Sequence, residues 1–261
     1  MFDFHMHSSV SFDSQAAAGD MAAAAIERGL REICFTDHYD QQTDPAAPAN
    51  LFSMEAYRQA YDHLSVPGIT IRRGMEFGLT GWNAPHLKAL AESYPFDFVL
   101  GSVHFVDGVD PYEPRYWQGR TVHEAFRAYL ETVYQCVLVH DGFDVLGHLT
   151  YVCKSVYNPT HGPVPLEDHR EVVDEILKLL VAKGKGMEVN TSGMDRAGVF
   201  LPSAEYLRRF KELGGQIVTI GSDAHDPGRV GQYAPQAMEM LKGIFGHVCT
   251  FDHRQPVFHK L

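Results

Sequence analysis

Short β-rich runs alternate with helical stretches along the whole chain, and this alternation limits the fold more than any other feature of the sequence. The runs fall at 2–5, 32–36, 70–73, 96–100, 144–147, 186–189, 216–220 and 248–251. Helical segments fit between them. Asp20 stands where it would cap an Ala-rich helix ending at Gly29, and Thr121 opens a long helix reaching about residue 140. Between 167 and 183, Val172, Val173, Ile176, Leu177 and Leu180 share one helical face, and Ser203 caps a further helix ending at Gly214. Repeated strand–helix–strand units predict an α/β fold with a parallel sheet and crossover helices, and seven or eight such units predict closure into a barrel. Residues 1–261 read as a single domain. The loosest stretch, 41–50 with Pro45 and Pro48, reads as an active-site loop and not as a linker. A second irregular stretch at 107–119 carries Pro111, Tyr112, Pro114, Tyr116 and Trp117.

In a parallel barrel the C-terminal strand ends share one face, and that face carries the active site. His5-Met6-His7 and then Asp13 follow the first strand, the second ends in Asp37-His38, and the third ends in Glu76. The fourth leads to Ser102-Val103-His104, Gly147-His148 closes the fifth, and Ser222-Asp223-Ala224-His225 closes the seventh. Six histidines and three carboxylates therefore compete for one mouth. Without a cation, carboxylates crowded in this way repel and shift their pKa values, so divalent metal is expected. Imidazole and carboxylate together suit zinc, manganese or iron. The period of two in His5-x-His7 puts both side chains on one face of an extended segment, where they can chelate one ion. Nine ligands exceed the capacity of a single tetrahedral or octahedral ion, which points to two or three ions with a bridging carboxylate. The remaining histidines (His63, His86, His123, His140, His161, His169, His247, His253 and His259) read as solvent-facing or capping residues.

Composition narrows the function. Lys and Arg number 22 against 33 Asp and Glu, a formal net charge of −11 that disfavours capture of long nucleic acids. No apolar run reaches the roughly 18 to 20 residues of a membrane helix, and Met1-Phe2-Asp3-Phe4-His5 lacks the regions of a secretory signal. Cys34, Cys136, Cys153 and Cys249 form no C-x-x-C and sit beside apolar neighbours, as expected of buried reduced thiols in a cytoplasmic protein. Metal binding must then come from His, Asp and Glu.

The motifs His5-x-His7-Ser8, Phe35-Thr36-Asp37-His38, Gly74-Met75-Glu76-Phe77, Gly101-Ser102-Val103-His104-Phe105, Gly147-His148, Glu188-Val189-Asn190-Thr191-Ser192-Gly193 and Gly221-Ser222-Asp223-Ala224-His225, in that order, resemble the PHP (polymerase and histidinol phosphatase) superfamily, and within it the histidinol-phosphatase branch. The resemblance implies a distorted (β/α)7 TIM-like barrel with a trinuclear metal centre. It implies His5, His7, Glu76 and Asp223 for one ion, Glu76 bridging to a second completed by His104 and His148, and Asp13, His38 and His225 for the third. The implied reaction is hydrolysis of a small phosphate monoester, L-histidinol phosphate, in histidine biosynthesis. Another small ester (a nucleotide or sugar phosphate) is the alternative substrate, and a non-catalytic metal-binding domain is the alternative class.

For the chemistry, Glu76 is the expected bridge, and Asp223 or the neighbouring His225 is the expected proton donor to the leaving group. Arg196, Lys154 and Arg229 are the cations expected on the phosphate, because a dianion needs positive side chains at the mouth. Phe105, Tyr112, Trp117 and Tyr151 are expected near the mouth, where rings could meet the substrate's amine. The family often has Asp two residues after His148, where this chain has Thr150.

Overall fold

A computed structural model describes residues 1–41 and 50–261; residues 42–49 of the expected active-site loop lie outside the described part. The strands are β1 (Phe2–Met6), β2 (Glu32–Tyr39), β3 (Thr70–Gly78), β4 (Phe98–Ser102), β5 (Val145–Leu146), β6 (Gly186–Asn190), β7 (Val218–Gly221), β8 (His247–Asp252) and β9 (Gln255–Lys260). The helices are α1 (Ala18–Glu27), α2 (Met54–Tyr61), α3 (Ala84–Ser93), α4 (Pro114–Trp117), α5 (Val122–Val139), α6 (Arg170–Ala182), α7 (Met194–Ala197), α8 (Ala204–Glu212) and α9 (Ala234–Ile244).

Strands β1 to β7 form one sheet in sequence order, every neighbouring pair parallel. The two edges then meet. His7 N–H donates to the Ala224 carbonyl and Asp223 N–H to the His5 carbonyl, both at 2.8 Å, so β1 is joined to the segment leaving β7. The result is the expected distorted seven-stranded barrel. Strands β1, β4, β6 and β7 are buried along their whole length because helices cover the outside.

The run at 248–251 departs from the strand expectation. It lies in β8, which pairs antiparallel with β9 in a separate two-stranded sheet and adds no eighth stave. Two residues, His253 and Arg254, turn the chain back there with positive φ, and a hairpin consumes the strand that a crossover would have delivered to the barrel.

Helix ends match the expectations unevenly. Thr121 forms a capping box with Glu124 at the start of α5, which relieves two unpaired N–H groups. Ser203 stands at the N-cap of α8 without a side-chain cap bond. Asp20 is not a cap: α1 starts at Ala18, so Asp20 falls in its first turn, where the helix dipole favours an acid. The four cysteines are free and buried, as expected. His140 and His169, read from sequence as solvent-facing or capping, are buried and stand at helix ends, His140 at the C-cap of α5 and His169 at the N-cap of α6; His140 donates from Nε2 to the Thr80 carbonyl at 2.8 Å. No helix among the described residues is long and apolar enough to cross a membrane.

Candidate metal centre

Strand register brings the ligands together. His38 on β2 is the direct partner of Glu76 on β3, and His104 and His148 each lie two residues past the ends of β4 and β5. His5 and His7 rise from β1, and Asp223 and His225 from the turn after β7. Asp223 holds φ at +56°, an uncommon backbone state for a non-glycine residue, and its amide is tied to the His5 carbonyl.

Glu76 is fully buried at the centre. Its Oε1 lies 2.9 Å from His148 Nε2 and 3.3 Å from His104 Nε2. Its Oε2 lies 2.9 Å from His38 Nδ1, 3.3 Å from His5 Nε2 and 3.7 Å from His7 Nε2. Asp223 Oδ1 is 3.4 Å from His7 Nε2 and 3.6 Å from His5 Nε2. Asp13 Oδ2 is 3.0 Å from His225 Nε2 and 3.5 Å from His38 Nε2. All nine residues singled out from sequence are thus brought to one mouth.

These residues fit metal better than they fit one another. His5 and His7 point their Nε2 atoms at each other across 3.1 Å, and His104 and His148 do so across 3.4 Å. Among the described residues, buried Glu76 Oε2 and His38 Nδ1 have no hydrogen-bond partner although they stand 2.9 Å apart, and His148 Nδ1 has none either. Lone pairs aimed at shared points, with buried polar atoms unsatisfied, are what a ligand set presents. Eight of the nine, all but Asp13, appear in compact donor groups: His5–His7–Asp223, His5–Glu76–His148, His7–His38–His225 and, with Asp40, His38–His104.

The electrostatics agree. Burial alone would raise the Glu76 carboxyl, but the charges of His5, His38 and His104 hold it well below the usual carboxylate range. Asp223 is likewise held well below, its burial outweighed chiefly by Lys154 and His5. Burial opposes protonation of His5, yet Glu188, Glu76 and Asp223 raise it well above its ordinary value. His7 moves the other way, lowered by burial and by the neighbouring His225 and His38. A cluster of ionised acids and protonated imidazoles balances its own charge by protons that divalent cations would displace.

The three expected phosphate cations line the same cleft, whose volume is about 440 Å³. Their states differ. Lys154 Nζ is 2.6 Å from Asp223 Oδ2 and 2.9 Å from Ser192 Oγ. Arg229 is paired with Asp195 at 2.7 Å. Arg196 makes no ion pair or side-chain hydrogen bond among the described residues, so its guanidinium is free for an anion. Phe105, Tyr112 and Tyr151 also face the cleft. Trp117 does not; its Nε1 donates to the Pro111 carbonyl at 2.8 Å, which spends it on holding the 107–119 segment.

Sequence reading passed over three carboxylates. Asp40 Oδ1 lies 3.0 Å from His104 Nδ1, and Glu188 Oε1 lies 2.6 Å from His5 Nδ1. Asp110 lines the cleft and accepts the Tyr112 amide at 2.8 Å through Oδ1. The signal for Asp40 was present: it follows His38 by two, one residue past the end of β2, the same spacing that paired His5 with His7.

A parallel barrel whose strand ends converge on buried histidines and carboxylates is the framework of a metal-dependent hydrolase. The chain belongs to the PHP domain family, whose profile matches residues 3–192. It is 32% identical over 256 residues to the histidinol-phosphatase of Lactococcus lactis, covering 96% of this chain and 94% of that one. It is 29% identical over 251 residues to a probable histidinol-phosphatase of Clostridium acetobutylicum, covering 94% and 96%. The crystal structure of the Lactococcus lactis histidinol phosphate phosphatase, complexed with zinc, L-histidinol and phosphate, superposes with a TM-score of 0.86 at 29% identity, covering 98% of each chain.

Proposed function

We propose that this chain is a metal-dependent phosphomonoesterase that hydrolyses L-histidinol phosphate to L-histidinol and phosphate in histidine biosynthesis. The observation that carries the reading is the convergence of nine ligand-type side chains beside an arginine that no described residue pairs, in a chain similar throughout to histidinol phosphatases. In this reading the chain is one domain and holds three ions. His5, His7, Glu76 and Asp223 hold the first; Glu76, His104 and His148 the second; Asp13, His38 and His225 the third. Zinc, manganese and iron all suit the donors. When bound, such ions supply a water acidified toward neutral pH and neutralise charge building on the phosphoryl oxygens.

The chain's own residues do the rest. Arg196 binds the phosphate, because a guanidinium offers paired donors to two oxygens. Lys154 and Arg229 add positive charge at the rim. Asp223 divides its two oxygens, Oδ1 toward the histidines and Oδ2 toward Lys154 and Ser192. Its carboxylate is placed to take a proton from the attacking water and pass it to the leaving alkoxide. His225 donates from Nδ1 to the Asp223 carbonyl at 2.9 Å, and its Nε2 faces Asp13, so it serves by ligation and has no spare proton to give.

On the cleft wall, Asp110 with Tyr112 and Tyr151 offers a carboxylate and two rings to the substrate's amine and imidazole, in place of the Asp absent at Thr150. Buried free thiols fit a reducing, cytoplasmic setting. A small ester also suits a net charge of −11, to which three divalent ions would add about +6 at one face.

Steady-state assay of the metal-loaded protein tests the substrate. L-histidinol phosphate should give a kcat/KM well above those of a nucleotide monophosphate and a sugar phosphate; equal or better turnover of either would overturn the assignment.

A further inference from the structure

Glu188 lies on β6, buried, and reaches two proposed ligands that belong to different ions. Its Oε1 meets His5 Nδ1 at 2.6 Å, and its Oε2 accepts the main-chain N–H of His148 at 2.7 Å. Asn190, two residues on, steadies Oε2 from 3.3 Å. The backbone is cut away to allow this. A Cβ at Gly221 would stand 2.1 Å from Glu188 Oε1 and 2.3 Å from His5 Cβ, so only glycine leaves room for carboxylate and imidazole to meet.

A carboxylate offers acceptors only, and the His148 amide is a donor only. The arrangement therefore requires a proton on His5 Nδ1, which leaves the Nε2 lone pair toward Glu76, Asp223 and His7 at 3.3, 3.6 and 3.1 Å. We propose that Glu188 is a positioning residue that couples two of the ion sites, fixing Nε2 as the binding atom of His5 while holding the strand end that carries His148. It binds no ion itself, and the proposal rests on the metal-centre reading above.

Glutamine cannot substitute, although it is the same size. With its NH2 toward His148 it sets donor against donor. With its NH2 toward His5 it favours the opposite tautomer, which places a proton on Nε2. Aspartate keeps two acceptors but is one methylene short.

The test strips wild type, Glu188→Gln and Glu188→Asp of metal and titrates each with zinc against a chelating dye, with thermal unfolding of the stripped proteins as a folding check. Glu188→Gln should bind zinc about 10- to 100-fold more weakly at more than one site, the usual cost of losing such a partner. Glu188→Asp should recover part of that affinity. A packing role would reverse the order, since the shorter Asp leaves the larger void. Wild-type affinity in Glu188→Gln, or weaker binding by Asp than by Gln, overturns the proposal. Should Glu188→Gln fail to fold, nitrogen-15 NMR of zinc-loaded wild type decides: Nδ1 protonated on His5 supports the proposal, and zinc on Nδ1 overturns it. A wild type that takes up no zinc overturns the metal centre itself, a result distinguishable from failure of Glu188 alone.

Discussion

Glu76→Gln removes one charge from the centre of the site and almost nothing from its packing. Glu76 is fully buried, and five histidine nitrogens stand between 2.9 and 3.7 Å from its oxygens. At an effective dielectric of about 20, a unit charge 3.3 Å away interacts with the carboxylate by about 5 kcal/mol, an upper bound before desolvation is subtracted. Breaking a buried ionic cluster by removing one partner costs about 3–5 kcal/mol. At about 1.4 kcal/mol per factor of ten, that is a loss of two to three and a half powers of ten in affinity for the ions that Glu76 is proposed to bridge. The amide NH2 adds to the loss by facing imidazole lone pairs. Elemental analysis of the purified variant, paired with turnover of L-histidinol phosphate, reads the effect. Fewer ions per chain and activity down by at least two powers of ten are expected. A folded variant with the full metal complement and turnover within about tenfold of wild type would refute the bridging role.

Arg196→Ala should raise KM about 10- to 100-fold, the worth of a charge-assisted contact, with Arg196→Lys recovering part of it; an unchanged KM would remove Arg196 from the phosphate site. Asp110→Asn should weaken L-histidinol phosphate while leaving competitive inhibition by inorganic phosphate as in wild type, since a carboxylate can pair with the substrate's amine but not with phosphate; equal loss for both would contradict the assignment. His140 concerns stability and not catalysis. Burial and the charge of Lys183 lower its pKa in the fold, against the bond to Thr80. The unfolded chain therefore binds the proton first, and the stability His140 confers is present above about pH 6.5 and lost as pH falls toward the folded value. Urea midpoints measured across that range should show a shallower acid loss for His140→Gln than for wild type; parallel slopes would contradict this.

Much of the fold and the ligand set was legible because both depend on period and order. Strand ends in a parallel barrel share a face, so locating the strands was enough to gather His5, His38, Glu76 and Asp223. The hairpin of β8 and β9 was not legible, because a strand's direction depends on the turn after it, and His253-Arg254 carries no common turn signature. The pairing of the cations was hidden for a different reason. Whether Lys154 meets Asp223 or stands free depends on the approach of segments 69 residues apart, and residue type says nothing of that. Glu188 was visible only as part of a motif; its contact with His5, 183 positions away, exists because β6, β7 and β1 adjoin around the closed barrel.

Reconstitution of metal-stripped protein tests the central claim most directly. Turnover of L-histidinol phosphate is followed as zinc is added in measured equivalents per chain. The account predicts no turnover in the stripped protein and a rise that saturates near three equivalents, one for each proposed set of donors. Full activity in the stripped protein, or saturation at a single equivalent, would contradict it.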